Sequence, residues 1–290
     1  MKKFAVITVC FNAENEIADT IASVLNQTCT DFEYLIKDGV STDQTLRISE
    51  SFSPAFAEKG IPYRIISQPD HGIYDAMNQA LTLAQGQWIL FMNAGDLMAD
   101  PYVLEMIGSS SALETADIVY GDTIDHYDDG YLPRKALALE QMKVRLPFCH
   151  QSVYVHKPLY DENHYPLKYR LCNDYVLFFQ WYQQKKRFAY LPMVMSIYDR
   201  HGLSSSNGKA VAKELVQIHE DMPVRDEKTI QMLREEAARY DRIKFRCKRF
   251  IARITPKPLR LKLRKSHGWK TEAELSEQLK RNGGRINQNT

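Results

Sequence analysis

Short apolar runs alternate with longer stretches of helical period through the first hundred residues. The runs 4–11 (FAVITVCF), 32–39 (FEYLIKDG), 63–68 (YRIISQ) and 88–92 (WILFM) have strand length and β-branched or aromatic content. Between them, 15–27 sets Ile17, Ile21, Val24 and Leu25 on one helical face. A second helical stretch, with Ser41 or Asp43 as its expected cap, carries Leu46, Ile48 and Phe52 to a stop at Lys59-Gly60. A third, 74–86, turns Ala76, Met77, Ala80, Leu81 and Ala84 inward and stops at Gly86. Strands joined by crossovers of helix length predict an α/β fold: a Rossmann-like, mainly parallel central sheet flanked by helices on both faces.

After Asp100 the rhythm changes. A helix near Pro101 leads to a strand at 116–124, an Asp-Gly hairpin signal at 129–130 and a strand at 151–157. A helix over 174–186 is opened by Asn173 or Asp174, and 188–199 reads as a strand pair or as one strand broken at Pro192. Residues 207–238 are helical in pattern with mixed charge. The organisation expected is one domain over 1–205, in two parts of about 1–100 and 101–205, and a helical, basic C-terminal extension over 206–290.

Composition narrows the class without naming a ligand. The chain has 290 residues, 44% hydrophobic and 26% charged, with a formal net charge of +2, so global charge points to no partner and nucleic acid is not expected. Five widely spaced cysteines without a C-x-x-C pair argue against a disulfide framework or a cysteine zinc site, and for a reducing compartment. The apolar start is strand-sized and runs into acidic sequence, unlike a signal peptide, and no run approaches the roughly 20 residues of a membrane span. A cytoplasmic location follows as the expectation. From Arg239 to Lys270, thirteen Lys or Arg face one acid, Asp241, and are interleaved with bulky apolar residues including Phe245, Phe250, Leu261 and Trp269. That mixture is expected to lie on an anionic membrane surface, at the inner face of the cell membrane.

The chemistry gathers where the strands end. Cys10 to Asn12, Asp38-Gly39, Gln68 to Gly72 and Asn93 to Asp96 would converge along the carboxyl edge of the sheet, where open α/β sheets bind ligands. Neither G-x-G-x-x-G nor a G-x-x-x-x-G-K-[ST] loop is present; the edge offers Asp38, Asp43, Asp70, Asp75 and Asp96 instead. Acids beside a diphosphate make chemical sense when Mg²⁺ or Mn²⁺ bridges the two.

Five segments in series, VITVCFN (6–12), IKDGVSTDQT (36–45), QPDHGIYDAMNQAL (68–81), GQWILFMNAGD (86–96) and CNDYVLFFQWYQQ (172–184), resemble the ordered motifs of family-2 glycosyltransferases with the GT-A fold. The resemblance covers roughly the first 205 residues. It implies inverting transfer of a sugar from a nucleotide diphosphate sugar, by default a UDP-sugar, to the hydroxyl of a sugar or polyprenyl-linked acceptor, in bacterial surface polysaccharide or glycolipid synthesis. By the same resemblance Phe11, Asn12 and Asp38 hold base and ribose, Asp96 holds the metal with His201 as a possible second contact, and Asp174 is the general base. Gly72, Asp75, Asn78 and Asn93 complete the donor-side candidates, and Asp122 and His150 are acceptor-side candidates. Asp75, Asn78, Asp122 and His150 read equally well as structural residues, and Tyr74 and Trp181 as core or pocket-wall aromatics. Asn93 and Gly95 occupy the first and third places of the D-x-D-like segment 93–96, so this motif supplies one protein carboxylate. A GT-A-like nucleotidyltransferase and a degenerate nucleotide-sugar-binding protein are the competing functions.

Overall fold

The computed structural model describes residues 1–202, 207–240, 269–271, 273–275 and 277. Among these, nine strands form one sheet: β1 (Phe4–Cys10), β2 (Phe32–Asp38), β3 (Tyr63–Ser67), β4 (Trp88–Phe91), β5 (Leu97–Met98), β6 (Ile118–Tyr127), β7 (Gly130–Arg134), β8 (Val153–His156) and β9 (Phe188–Asp199). The order is β3-β2-β1-β4-β8-β6-β9-β5, with β7 paired to β6 as a hairpin. The first four strands run parallel, as their helical crossovers require. The second half is mixed: β8 is antiparallel to β4 and β6, while β6 and β9 are parallel.

Helices α1 (Ile17–Leu25), α2 (Thr45–Ser51), α3 (Ser53–Glu58) and α4 (Ile73–Leu83) connect the parallel strands. They are followed by α5 (Val103–Gly108), α6 (Ala112–Thr115), α7 (Lys157–Glu162) and α8 (Asn173–Gln183), and then by the helices Gly208–Asp221 and Glu227–Arg239. Alternation along β1 divides the core. Phe4 and Val6 pack with Ile17, Ile21, Val24 and Leu104 on one face, and Ala5, Ile7 and Val9 with Met77, Leu81, Leu177 and Trp181 on the other. Leu215, Ile218 and Leu233 of the last two helices share the second of these clusters. These two helices therefore pack on the same core as the sheet.

Two local expectations change in the structure. The second helical stretch is two helices, because Pro54 has no N–H to give the carbonyl four residues back and the chain breaks at Phe52. Residues 188–199 are one continuous strand: between Tyr120↔Tyr190 and Asp122↔Val194 the register slips, and this bulge absorbs Pro192. The membrane-surface reading of 239–270 lies largely outside the described residues. Its described end does not offer its indole to lipid, since Trp269 is buried on Tyr127 at 4.8 Å, donates Nε1–H to the Asp129 carbonyl at 3.2 Å, and Lys270 bridges to Tyr131. Cys10, Cys29, Cys149 and Cys172 are free thiols, while Cys247 lies outside the described residues. No described helix is long and apolar enough to cross a membrane.

The carboxyl edge of the parallel strands is tied together by a buried cation. Cys10, Asp38 and Ser67 stand side by side in the register of β1, β2 and β3. Beneath them the fully buried Lys37 ammonium donates to the carbonyls of Asp38 (2.9 Å) and Gln68 (2.7 Å) and to Asp70 Oδ2 (2.9 Å). Three donors meet three acceptors, which is the condition under which an ammonium can be buried. Lys37→Met keeps the apolar stem but strands the Asp70 carboxylate, so a loss of about 3 kcal/mol is expected, the usual scale for breaking a buried pair from one side. Urea denaturation measures it; a loss under about 1 kcal/mol, the scale of a surface pair, would mean that water already satisfies Asp70.

Candidate active site

The turn after β1 opens the site. Phe11 is 62% exposed, an unusual place for a large aromatic, and Asn12 sits at φ +49° in the left-handed region that Asn tolerates. Asn12 Oδ1 accepts the Thr42 N–H at 2.9 Å, and its own N–H donates to Ser41 Oγ at 2.8 Å, binding the β1 and β2 loops together. Gly39 makes this approach possible: a Cβ there would lie 2.9 Å from Asp70 Oδ2 and 3.3 Å from the Phe11 ring. Phe11 therefore forms an exposed apolar wall beside the ends of β2 and β3.

Asp38 closes the end of β2. It is fully buried, with Oδ2 accepting the Ser41 N–H (3.0 Å) and the Ser67 hydroxyl (2.7 Å), and Oδ1 accepting the Ser41 hydroxyl. Its oxygens are spent on the loop that faces Phe11, so it shapes the edge of the crevice. Asp75 likewise accepts the His71 N–H (2.8 Å) and the Gln79 amide (3.1 Å) in the first turn of α4. Gly72, at φ +116°, is the turn into that helix and donates its N–H to Asp70 Oδ1 at 3.1 Å. Asn78 is committed to the chain opposite: it donates to the Tyr165 carbonyl and accepts the Tyr165 N–H, each at 2.9 Å.

The turn after β4 holds the acid expected to meet a cation. Buried Thr20 accepts the Gly95 N–H (3.0 Å) and donates to the Asp96 carbonyl (2.9 Å), and the Asp96 N–H closes on the Asn93 carbonyl at 3.0 Å. Asp96 is 4% exposed; its Oδ1 accepts the Asp199 N–H at 2.9 Å, and burial pushes its carboxyl well above the usual range, with the Asp199 charge adding to the effect. Asp199, at the end of β9, is a partner that sequence reading missed. It accepts His201 Nδ1 at 2.7 Å while His201 Nε2 lies 2.7 Å from Asp128 of the β6–β7 hairpin. Both ring nitrogens are thus occupied by carboxylates, which raise the imidazole pKa, so His201 has no lone pair open to a metal in this arrangement.

Does this corner suit a hard cation? Two neighbouring carboxylates, Asp96 and Asp199, share it, and Asn93 Oδ1 is buried without a hydrogen-bond partner. Oxygen donors are what Mg²⁺ or Mn²⁺ requires, and a cation would favour the ionised form of Asp96 that burial opposes. Among the described residues no group of three His, Cys, Asp or Glu side chains stands ready as a metal site, so a cation here would keep positions for water and phosphate oxygens.

On the other side of α4 stands Asp174. The helix begins at Asn173, with Cys172 as its cap residue, so Asp174 is not the N-cap. Its Oδ1 accepts the Tyr175 N–H at 2.8 Å and lies 3.0 Å from the Tyr74 hydroxyl. The helix dipole leads one to expect an acid held fully ionised; instead burial dominates and pushes the carboxyl up to about 6. That is the range of a carboxylate able both to be ionised near neutrality and to accept a proton.

The acceptor-side candidates are structural in their contacts. His150 stacks on Phe91 at 5.5 Å, bonds the Tyr165 hydroxyl at 2.7 Å, and is pushed down to about 4 by burial, which keeps it neutral. Asp122 accepts the Ala136 N–H and the Tyr190 hydroxyl, each at 2.9 Å, beside the β6–β9 bulge. Trp181 is a core residue, edge-on to Tyr160 and Phe178. Tyr74 is not merely a wall: it reaches Asp174.

The description Glycosyl transferase family 2 matches residues 5–183 of the chain. The chain is 30% identical over 202 residues to the PGL/p-HBAD biosynthesis glycosyltransferase of Mycobacterium bovis, a span of 69% of this chain and 77% of that protein. Among solved structures, TarS 1-349 of S. aureus in complex with UDP superposes with a TM-score of 0.59 at 18% identity, over 88% of this chain and 75% of that one. The mannosyltransferase PcManGT of Pyrobaculum calidifontis in complex with GDP-Man and Mn²⁺ gives 0.61 at 15% identity, over 81% and 69%. At such identities the shared property is the fold.

Proposed function

The chain belongs to glycosyl transferase family 2 and has the GT-A fold, and from that premise we propose inverting transfer of a sugar from a nucleotide diphosphate sugar to an acceptor hydroxyl, with Asp174 as base. The observation that carries this is the Asp174 carboxylate, half-buried at the head of α8 with its pKa raised to about 6. In the step, the acceptor oxygen bonds to the anomeric carbon on the face opposite the diphosphate. The bond from that carbon to the diphosphate breaks with its electron pair leaving on the phosphate, and the acceptor proton passes to Asp174. Phe11 would pack on the nucleotide base and Asn12 would line the ribose, on the loops that Asp38 and Gly39 shape. Asp96, with Asp199 and Asn93 beside it, would hold Mg²⁺ or Mn²⁺. A bound divalent cation would offset the charge that develops on the leaving diphosphate.

The product class follows from the relatives. The Mycobacterium bovis protein is named for PGL/p-HBAD biosynthesis and one from Bacillus subtilis for putative teichuronic acid biosynthesis, which supports a role here in making a bacterial surface polysaccharide or glycolipid on a sugar or polyprenyl-linked acceptor. A UDP-sugar is the proposed donor, consistent with the UDP-GlcNAc complex of TarS, while PcManGT binds GDP-Man. The basic, apolar sequence of 239–270 is proposed to hold the protein at the inner face of the cell membrane.

Two measurements test the reading. Nucleotide diphosphate release from a panel of UDP-, GDP- and dTDP-sugars, with and without Mn²⁺ or Mg²⁺, is expected for one donor class, dependent on the cation and reduced about 100-fold or more in Asp96→Ala and in Asp174→Asn. Because the base acts ionised, the rate should rise about tenfold per pH unit below pH 6 and level off above it. Turnover indifferent to both substitutions would sink the assignment, and absence of donor binding by calorimetry would remove the nucleotide-sugar site itself. Separately, reversing Arg246, Lys248 and Arg249 to Glu should weaken sedimentation with anionic vesicles by an order of magnitude or more, at about 1 kcal/mol per basic residue, with donor binding retained. Unchanged vesicle binding would remove the membrane role.

A further inference from the structure

The hydrogen bonding of Asp174 comes partly from the donor-side half of the molecule. Tyr74, the second residue of α4, places its hydroxyl 3.0 Å from Asp174 Oδ1 and 2.9 Å from the Leu171 carbonyl. One turn further along the same face, Asn78 clamps the backbone of Tyr165 at both its N–H and its carbonyl. Together the two side chains hold the loop leading into α8 at its start and at its end. The Tyr74 ring is buried against Tyr165 at 5.6 Å, so the position of its hydroxyl is set by packing.

A phenol has one proton to donate and lone pairs with which to accept. With two oxygen neighbours, Tyr74 can donate to only one at a time. While Asp174 is ionised, the charge-assisted bond to the carboxylate is the stronger choice. Once Asp174 has taken a proton on Oδ2, Oδ1 is no longer charged, its bond from the phenol loses the charge assistance, and the phenol proton can turn to the Leu171 carbonyl. Rotation of one hydroxyl therefore keeps the phenol proton bonded in both protonation states. We propose that Tyr74 is a positioning residue for sugar transfer: it holds the Asp174 carboxylate in the orientation from which it takes the acceptor proton, and relays its own proton between Asp174 and the Leu171 carbonyl. This role rests on Asp174 being the base.

Other groups also act on Asp174. Tyr160 of α7, Tyr165 of the preceding loop and Cys172 beside it are raised by burial and remain neutral, and Glu214 of the helix Gly208–Asp221 opposes ionisation of Asp174. Glu214 is itself held by the N–H groups of Arg170 and Leu171 at 2.8 and 2.7 Å. The Tyr74 hydroxyl acts in the other direction and favours the ionised carboxylate.

Tyr74→Phe removes the hydroxyl and keeps the ring. In full-length protein labelled with ¹³C at the aspartate carboxyls, the Asp174 resonance is identified by its loss in Asp174→Asn. Its titration midpoint is expected near 6 in wild type and about one pH unit higher in Tyr74→Phe. With UDP-GlcNAc and GDP-mannose as probe donors, each with Mn²⁺, Tyr74→Phe should lower kcat about tenfold even above pH 8, where Asp174 is ionised in both proteins, and leave the donor KM within about twofold. An unmoved midpoint, or kcat within twofold of wild type above pH 8, overturns the proposal. The NMR titration decides it even if neither probe is turned over. Turnover retained in Asp174→Asn would instead bring down the base assignment, and this role with it.

Discussion

The Lys37 ammonium, sealed under the ends of β2 and β3, is the contact from which the rest of the site is built. A buried cation is tolerated only when each of its protons has a partner, and here those partners are two carbonyls at adjacent strand ends and the carboxylate of Asp70. The demand for three acceptors fixes where the chain after β3 must run. Asp70 in turn receives the Gly72 N–H, which starts α4, and α4 carries Tyr74 and Asn78 to the loop that presents Asp174. One electrostatic constraint thus orders the ends of β2 and β3 and, through a helix, the surroundings of Asp174.

The opposite corner is built from a different material. Thr20 of α1 uses one hydroxyl to hold both Gly95 and Asp96, so the acid at the end of β4 is set by a helix packed across the sheet. Asp96 meets Asp199 because β9 ends there, parallel to β6 and paired through Leu97 and Met98 to the very segment that follows Asp96. Two carboxylates brought together in this way repel each other and raise the protonation of the buried one. That unfavourable pairing is the physical reason to look for a cation at this place in a glycosyltransferase, and it also explains why His201, caught between Asp199 and Asp128, is drawn toward its charged form.

Much of the frame could be read from the pattern of residues. The strands of the parallel half were legible because all seven residues of β1 and of β2 are buried on two faces, so apolar character needs no alternation. Asp96 and Asp174 stood out as candidates because each follows an apolar run or opens a helical one. Pro192 misled, since a proline inside a strand normally ends it and only the unpaired residues of a bulge opposite Gly121 make room. Asp38 shows what spacing alone leaves open. A carboxylate at a strand end reads as a ligand group, and whether its oxygens turn to solvent or to Ser41 and Ser67 depends on loops from two other strands.

The sequence by itself determined the alternating elements, the sheet edge where polar strand ends gather and the acids available there, because these depend on residue type and on spacing along one stretch of chain. The tertiary structure decided how those acids differ. Burial sets the Asp174 carboxyl near neutrality against the dipole of its own helix, the Asp199 charge adds to the burial of Asp96, and Tyr74 reaches a carboxylate one hundred positions away. Desolvation and through-space charge act between groups that meet only when the chain has folded, so no local pattern carries them.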